Sequence, residues 1–197
     1  MDEILQLISH IMEDEIPSRW ILTNQKSVFS CPIFQLLKKK YIHPTDRRSG
    51  DFYAMDIADW VQVVAFTTEN KLILVQQFRF GIEIISLETP GGLIEKNEDP
   101  IAAGLRELRE ETGYVPENAY LLTTFYPNPA IQTNRLYIVI AENCQKIDDQ
   151  HLDPNEEITC YTATFSECLE KIKSGKINHA IAIATLLTYQ LLRSATP

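Results

Sequence analysis

The order of strand-like and helix-like segments predicts an α+β fold, an α/β/α sandwich in which a mixed β-sheet lies between helices. Several β-rich runs come first, one helix with clear end signals follows, and further strands precede two closing helices. Because this order does not repeat as β-α-β units, a regularly wound parallel sheet is not expected. We place the sandwich in residues 59–197 and predict a helix and a small β extension in residues 1–58.

The extension begins with a predicted amphipathic helix over residues 3–12, where apolar residues recur at helical spacing. Pro17 is expected to end this helix, because proline interrupts helical hydrogen bonding. From Trp20 to Ile57 the pattern becomes strand-like and irregular, with a polar stretch at Pro44–Asp51. We therefore predict a small sheet in this part of the chain.

The sandwich itself begins with a predicted β-hairpin. Trp60–Phe66 and Leu72–Phe78 are rich in strand-forming residues and are separated by the polar segment Thr67–Lys71. Further strands are predicted over residues 119–126, 135–142 and 158–164. Helices are predicted over residues 99–112, 166–174 and 178–193, and Gly175 suits the left-handed position that ends the second of them.

Composition and charge restrict the class of protein and its partners. Hydrophobic residues make up 45% of the 197 residues and charged residues 23%, the balance of a soluble globular protein. The net charge of -9 disfavours binding to nucleic acid or to an anionic membrane. No apolar run reaches the roughly 18 to 20 residues of a membrane span, and the four cysteines lack metal-ligand spacing. We predict a cytoplasmic protein with free thiols.

The helix over residues 99–112 has the clearest end signals in the chain. Asp99 suits the N-cap, Pro100 the first helical position and Gly113 the position after the last turn. Four residues share its predicted core-facing side, namely Ile101, Leu105, Leu108 and Thr112.

Three glutamates, Glu107, Glu110 and Glu111, are predicted on roughly the opposite side of this helix. Their mutual repulsion costs about 0.2–0.5 kcal/mol per pair, and the helix dipole disfavours negative charge in the last turn. Arg106 can pair with Glu110 but cannot neutralise three carboxylates. A bound divalent cation would resolve the conflict, and oxygen ligands favour magnesium or manganese over zinc. The alternative interpretation is a solvated acidic helix face.

The segment from residue 92 to residue 114 resembles the Nudix box, G-x5-E-x7-R-E-U-x-E-E-x-G-U, in which U is a bulky apolar residue. Its fixed positions are filled by Gly92, Glu98, Arg106, Glu107, Leu108, Glu110, Glu111 and Gly113, and Tyr114 stands at the last position. The flanking segments resemble the ADP-ribose pyrophosphatase and nucleoside diphosphate sugar hydrolase branch of that family. They are Trp60–Ala65, Gln76–Arg79, Glu88–Gly92, Asn155–Ile158 and Gly175–Ile177, and the resemblance covers about residues 20–193.

The resemblance implies a Nudix fold with a magnesium site on this helix, for which manganese is a substitute. In the family, the glutamates that match Glu107 and Glu111 bind metal directly, and Glu110 is a third ligand, direct or through water. A backbone carbonyl near Gly91 or Gly92 completes the site.

The resemblance also implies which residues assist the reaction. Arg106 would hold the carboxylates in register through forked hydrogen bonds, which lysine cannot make. Glu98, at the helix entrance, would cap and orient the preceding loop. Relatives take a general base from the loop that corresponds to His151–Glu157, and both Glu156 and Glu157 remain candidates for that role.

Four residues are expected to bind substrate. Arg79 matches an arginine that contacts substrate phosphate in relatives, although a surface ion pair is the alternative. Glu88, Pro129 and Asn134 are assigned to substrate binding with it. Because Asn128–Arg135 departs from the ADP-ribose pyrophosphatase pattern, the choice of ADP-ribose as substrate stays open.

The implied reaction is hydrolysis of the diphosphate bond of ADP-ribose or another nucleoside diphosphate sugar, giving a nucleoside monophosphate and a sugar phosphate. Relatives are homodimers in which N-terminal strands reach the partner, so a homodimer is predicted. Two alternatives remain: a ligand-binding module with a Nudix fold and no turnover, and an enzyme acting on dinucleoside polyphosphates or capped RNA. The net charge argues against RNA.

Overall fold

The structure, a computed structural model, describes residues 17–193. The helix predicted over residues 3–12 lies outside this range. The chain divides into two compact units, one formed by the chain up to Asp56 with residues 130–132, the other by residues 57–129 with the chain from Thr133 onward.

The first unit contains a three-stranded sheet in the order β1-β2-β3, formed by β1 (Ile21–Ser30), β2 (Phe34–Ile42) and β3 (Ser49–Ile57). Strands β1 and β2 are antiparallel, with Ile21 opposite Ile42. The ring of Trp20 packs edge-on against Phe52, with the ring centroids 5.7 Å apart. The small sheet predicted for this part of the chain is therefore present.

The second unit contains an eight-stranded mixed sheet. Its strands are β4 (Trp60–Thr67), β5 (Leu72–Arg79), β6 (Ile84–Glu88), β7 (Gly91–Leu93), β8 (Tyr114–Val115), β9 (Asn118–Phe125), β10 (Leu136–Lys146) and β11 (Ile158–Ala163). The order is β11-β5-β4-β10-β8, with β6 beside β5, β7 beside β4 and β9 beside β10. Strands β4 and β10 are parallel, whereas β10 and β9 are antiparallel, so the prediction of a mixed sheet is confirmed. Strands β6, β7 and β8 were not predicted, because strands of two to five residues are too short to show a periodic pattern in the sequence.

Three helices lie in the described part of the chain, α1 (Pro100–Thr112), α2 (Phe165–Lys173) and α3 (Ala180–Arg193). Their ends agree with the predicted ends to within two residues. Asp99 caps α1 by accepting hydrogen bonds from the amides of Ile101 and Ala102, and Gly113 follows its last turn at φ 75°. No helix in residues 17–193 is long and apolar enough to cross a membrane.

The core lies on both faces of strand β4, which is why its sequence is a continuous apolar run. On one face Val64 and Phe66 pack with Leu186 of α3. On the other face Val63 packs with Leu108 of α1. The sheet is therefore sandwiched between helices, as predicted.

Helix α1 buries only part of the side predicted to face the core: Leu108 and Thr112 are buried, whereas Ile101 and Leu105 are partly buried. Its buried residues are Ala103, Gly104, Leu108, Glu111 and Thr112. Gly104 lets the helix approach closely, since a Cβ there would lie 3.1 Å from Cγ2 of Val61 and 3.2 Å from Cγ2 of Val63. Glu111, predicted on roughly the side opposite the core, is instead buried and only 5% exposed.

Candidate active site

Two adjacent glycines bring strand β7 against the acidic end of helix α1. In the pairing of β7 with β4, Gly92 lies opposite Val61. A Cβ on Gly91 would collide with the carbonyl oxygen of Val61, and a Cβ on Gly92 would collide with the carboxyl group of Glu107. Only glycine fits at position 91, because the backbone of Val61 lies too close for any side chain, whereas a side chain at position 92 would displace the carboxyl group of Glu107.

Arg106 is the centre of the hydrogen-bond network on α1. Its Nε and Nη2 donate to the two carboxylate oxygens of Glu98 at 2.9 and 3.0 Å, and Nη2 also donates to the carbonyl of Leu93 at 3.1 Å. Its Nη1 donates to Glu107 at 2.9 Å and to Glu110 at 3.1 Å. The predicted Arg106–Glu110 pair is present, and one guanidinium holds three carboxylates in register.

Glu98 also orients the loop that leads into the helix. Its Oε2 accepts a hydrogen bond from the backbone amide of Glu95 at 2.9 Å. The hydrogen bonds from Arg106 lower the pKa of Glu98, so this carboxylate stays ionised and continues to accept those hydrogen bonds.

Glu111 and Glu107 are carboxylates whose ionised forms are disfavoured. Oε2 of Glu111 accepts the amide hydrogen of Gly91 at 3.0 Å. Burial raises the pKa of Glu111 to about 8 in spite of that hydrogen bond, and the charges of Glu107 and Glu156 act in the same direction. Burial likewise raises the pKa of Glu107, although Arg106 partly offsets the effect. Nearby positive charge beyond that of Arg106 would favour both ionised forms.

The carboxylates fit a divalent cation by their chemistry, although they are not oriented as a finished set of ligands. Within residues 17–193, no three His, Cys, Asp or Glu side chains converge as a complete metal site, since Glu107 and Glu110 both point at Arg106. The available donors are carboxylate and carbonyl oxygens, which hard cations prefer. A cation would also offset the cost of ionising Glu107 and Glu111.

Arg79, at the end of β5, is held by a buried carboxylate. Its Nε and Nη2 donate to the two oxygens of Glu88 at 2.8 and 2.6 Å, and Glu88 is fully buried. Burial alone would raise the pKa of Glu88, but Arg79 and then His179 outweigh it, so the pKa lies well below its ordinary value. Glu88 thus contacts Arg79 and leaves only the arginine partly exposed.

The loop between β10 and β11 is tied to the C-terminal end of α1. The amide of His151 donates to the carbonyl of Glu110 at 2.8 Å. The side-chain amide of Gln150 donates to the carbonyl of Glu111 and, at 3.1 Å, to that of Ile158. These donors satisfy carbonyls that the helix end leaves unpaired. The helix that carries the acidic cluster therefore also positions this loop.

Glu156 in this loop is exposed, and its carboxylate accepts a hydrogen bond from the amide of Asp153 at 3.1 Å. Burial is the main cause of the raised pKa of Glu107 and of Glu111, and the negative charge of Glu156 raises both further. The hydrogen bond to Glu88 is the main cause of the raised pKa of Arg79, to which the charge of Glu156 also contributes. Glu156 is therefore in electrostatic range of the cluster.

The remaining predicted site residues are less closely connected to the cluster. Glu157 is exposed beside Glu156, and Pro129 is exposed ahead of β10. Asn134 is 2% exposed, and neither atom of its amide finds a hydrogen-bond partner among the described residues. No hydrogen bond or ion pair joins these three residues to Arg106 in the part of the chain described.

His179 is a residue of this region that sequence reasoning missed. It falls within the helix predicted over residues 178–193, but α3 begins at Ala180. Its Nδ1 lies 3.0 Å from Oε2 of Glu88. The sequence offers no signal for this contact, because the two residues lie on distant segments that only the fold brings together.

Comparison with known proteins agrees with this geometry. The sequence model of the NUDIX domain matches residues 59–181. The chain is 33% identical to the ADP-ribose pyrophosphatase of Bacillus subtilis over 136 residues, which is 68% of this chain and 73% of that protein. It is 34% identical to the methanol dehydrogenase activator of Bacillus methanolicus over 132 residues, 66% of this chain and 71% of that protein.

A further relative and a solved structure support the same family and fold. The chain is 30% identical to the ADP-sugar pyrophosphatase of Mus musculus over 135 residues, 62% of this chain and 61% of that protein. A crystal structure described as an ADP compounds hydrolase matches with a TM-score of 0.79 at 17% identity, over 91% of this chain and 97% of that one. At that identity the structural match shows the fold alone.

Arg106→Lys is expected to lower the free energy of unfolding by about 1–3 kcal/mol, because lysine keeps the charge but cannot form the forked bonds to Glu98. Arg109→Lys on the same helix is the matched control, since the ion pair of Arg109 with Asp148 is the only one it makes within residues 17–193 and lies at an exposed site. Urea denaturation of the two variants checks the difference. Equal effects would contradict the central role given to Arg106.

Proposed function

The chain belongs to the Nudix family of hydrolases, which act on pyrophosphate bonds, and from that premise we propose that it cleaves the diphosphate of a nucleoside diphosphate sugar. The products are a nucleoside monophosphate and a sugar phosphate. ADP-ribose is the first candidate substrate, because the relatives include ADP-ribose and ADP-sugar pyrophosphatases.

One observation carries the proposal: the carboxylates of Glu98, Glu107 and Glu110 are gathered around Arg106, with Glu111 buried beside Gly91. A chain with a net charge of -9 has no long-range attraction for a diphosphate. The cluster instead suits a local arrangement in which cations lie between the carboxylates and the phosphates.

We propose Mg²⁺ as the cofactor, with Mn²⁺ as a substitute. Glu107, Glu110, Glu111 and the backbone carbonyl of Gly92 would hold it. When bound, the ion lowers the pKa of water and balances charge on the phosphates. The raised pKa values of Glu107 and Glu111 support this assignment, because a cation favours the ionised form of each.

The side chains of the chain itself orient the reactants. Arg106 keeps the carboxylates in one arrangement, and Arg79 binds a phosphate through the part of its guanidinium that Glu88 leaves exposed. Glu156 accepts the proton of the attacking water, since its charge already reaches Glu107 and Glu111, and Glu157 is the alternative base.

We also assign Pro129 and Asn134 to substrate contacts beyond the diphosphate. Pro129 supports this assignment by its exposure ahead of β10. The two polar atoms of the Asn134 amide have no hydrogen-bond partner among the described residues, but they are buried, so contact with a ligand would require the surrounding chain to move.

With Mg²⁺ present, we expect turnover of ADP-ribose or another member of a panel of nucleoside diphosphate sugars, with both products resolved by chromatography. Glu111→Gln should lower kcat more than about a hundredfold, because it removes a proposed metal ligand. Glu170→Gln, an exposed glutamate on α2, is the matched control and should leave turnover unchanged. Calorimetric binding of ADP-ribose without turnover would instead indicate a ligand-binding module.

The two candidate bases are neighbours and provide a matched pair. Glu156→Gln should lower kcat by about 10²–10⁴ with little change in KM, because it removes proton transfer and leaves binding intact. Glu157→Gln should change kcat by less than about threefold. Steady-state kinetics at fixed pH checks both values. Small and equal losses would assign the base to another residue.

We further propose that residues 1–58 form a dimerising extension to a hydrolase domain over residues 59–197. Apolar side chains exposed on the first sheet support this, among them Ile21, Leu22, Val28 and Phe29. Size-exclusion chromatography with light scattering is expected to return twice the mass of 22.6 kDa. A monomer at micromolar concentration would remove this part of the proposal.

A further inference from the structure

Glu88 is a fully buried carboxylate placed between two cationic or polar side chains. Oε1 accepts a hydrogen bond from Nε of Arg79 at 2.8 Å, and Oε2 accepts one from Nη2 of Arg79 at 2.6 Å. Nδ1 of His179 lies 3.0 Å from the same Oε2. A buried carboxylate is costly unless its oxygens are engaged, and both Arg79 and His179 approach the oxygens of Glu88 to within 3.0 Å.

Backbone hydrogen bonds on both sides of His179 define its position at the start of α3. Ile177 is fully buried, and its amide donates to the carbonyl of Lys171 at 3.0 Å. The carbonyl of His179 accepts the first hydrogen bond of the helix from the amide of Ile183 at 3.0 Å. Nδ1 of His179 has no well-angled hydrogen bond to any described residue, so its close approach to Glu88 is its one polar contact there.

Arg79 is the partly exposed partner of Glu88. Its side chain is 38% exposed, so part of the guanidinium is accessible to a ligand. The hydrogen bond to Glu88 is the main cause of the raised pKa of Arg79, and the negative charges of Glu111 and Glu156 contribute less. A long arginine side chain has many rotamers, and the bidentate bond to Glu88 selects one of them.

We propose that His179 is a positioning residue for Arg79: it holds the carboxylate of Glu88 from a second side, so that both oxygens of Glu88 stay directed at the guanidinium. The inference rests on the proposed function, in which Arg79 binds a substrate phosphate. His179 acts through Glu88 and need not touch substrate.

Two substitutions separate the polar contact from simple packing. His179→Asn keeps a nitrogen donor near the position of Nδ1 but loses the ring, whereas His179→Phe keeps a ring and loses the donor. His179→Phe should raise KM for the nucleoside diphosphate sugar about tenfold with kcat within about threefold, because phosphate binding weakens while the cluster on α1 is untouched. His179→Asn should stay within about threefold of the original KM. Should His179→Phe not fold, His179→Ala takes its place.

A double-mutant cycle tests whether the effect passes through Arg79. In the Arg79→Ala background, His179→Phe should raise KM no further, because the side chain that His179 positions has already been removed. Independent, multiplicative effects on KM would overturn the proposal. The proposal would also be overturned if His179→Phe kept the original KM and His179→Asn raised it, because that result would assign His179 a packing role.

A readout without substrate separates this inference from the proposed function. The ¹H–¹⁵N resonance of Arg79 Nε, assigned by its loss in Arg79→Lys, should be sharp in the original protein, shifted or broadened in His179→Phe, and restored in His179→Asn. If no nucleoside diphosphate sugar is turned over, the proposed function fails, and this resonance still decides whether His179 orders Arg79. An unchanged resonance in His179→Phe would overturn the inference.

Discussion

The site depends on the hydrogen bonds that Arg106 makes with the glutamates around it. Glu107 and Glu110 lie on neighbouring positions of one helix and repel each other, and the helix dipole adds to the cost in the last turn. The guanidinium of Arg106 donates hydrogen bonds to both glutamates and to Glu98 in the preceding loop. Its bond to the carbonyl of Leu93 joins strand β7 to the same centre. A single side chain therefore sets the relative positions of a strand, a loop and a helix.

The close packing of α1 on the sheet makes this acidic helix tolerable to the fold. Gly104 allows the helix to approach Val61 and Val63, and Leu108 on the same helix is fully buried against the sheet. That burial contributes roughly 1.5–3 kcal/mol for a leucine, which exceeds the repulsion between neighbouring glutamates. The same approach carries Glu111 into the interior, where burial raises the pKa of its carboxyl group to about 8. The stability of the core thus sustains a locally unfavourable charge arrangement, which is a common property of functional sites.

Each arginine of the site is oriented by a glutamate that is not a proposed metal ligand. Glu98 binds Arg106 through two oxygens, and Glu88 binds Arg79 in the same manner. In both pairs the pKa of the glutamate is lowered, so the orienting carboxylate remains charged at neutral pH. In the proposed function only Arg79 binds substrate, and a guanidinium held in this way would lose little freedom when it binds a phosphate, which is the advantage of preorganisation.

Elements with local signals could be predicted from the amino-acid sequence. Asp99, Pro100 and Gly113 predict the ends of α1, the alternation of apolar runs and turns predicts the hairpin of β4 and β5, and the spacing of the glutamates predicts the acidic cluster. The burial of Ala103, Gly104 and Glu111 on α1 could not be predicted in this way, because the close approach at Gly104 depends on how helix and sheet meet. The contact between Glu88 and His179 likewise appears only in the folded chain. Backbone angles and helix caps depend on residues close in the sequence, whereas burial and long-range ion pairs depend on which distant segments the fold brings together.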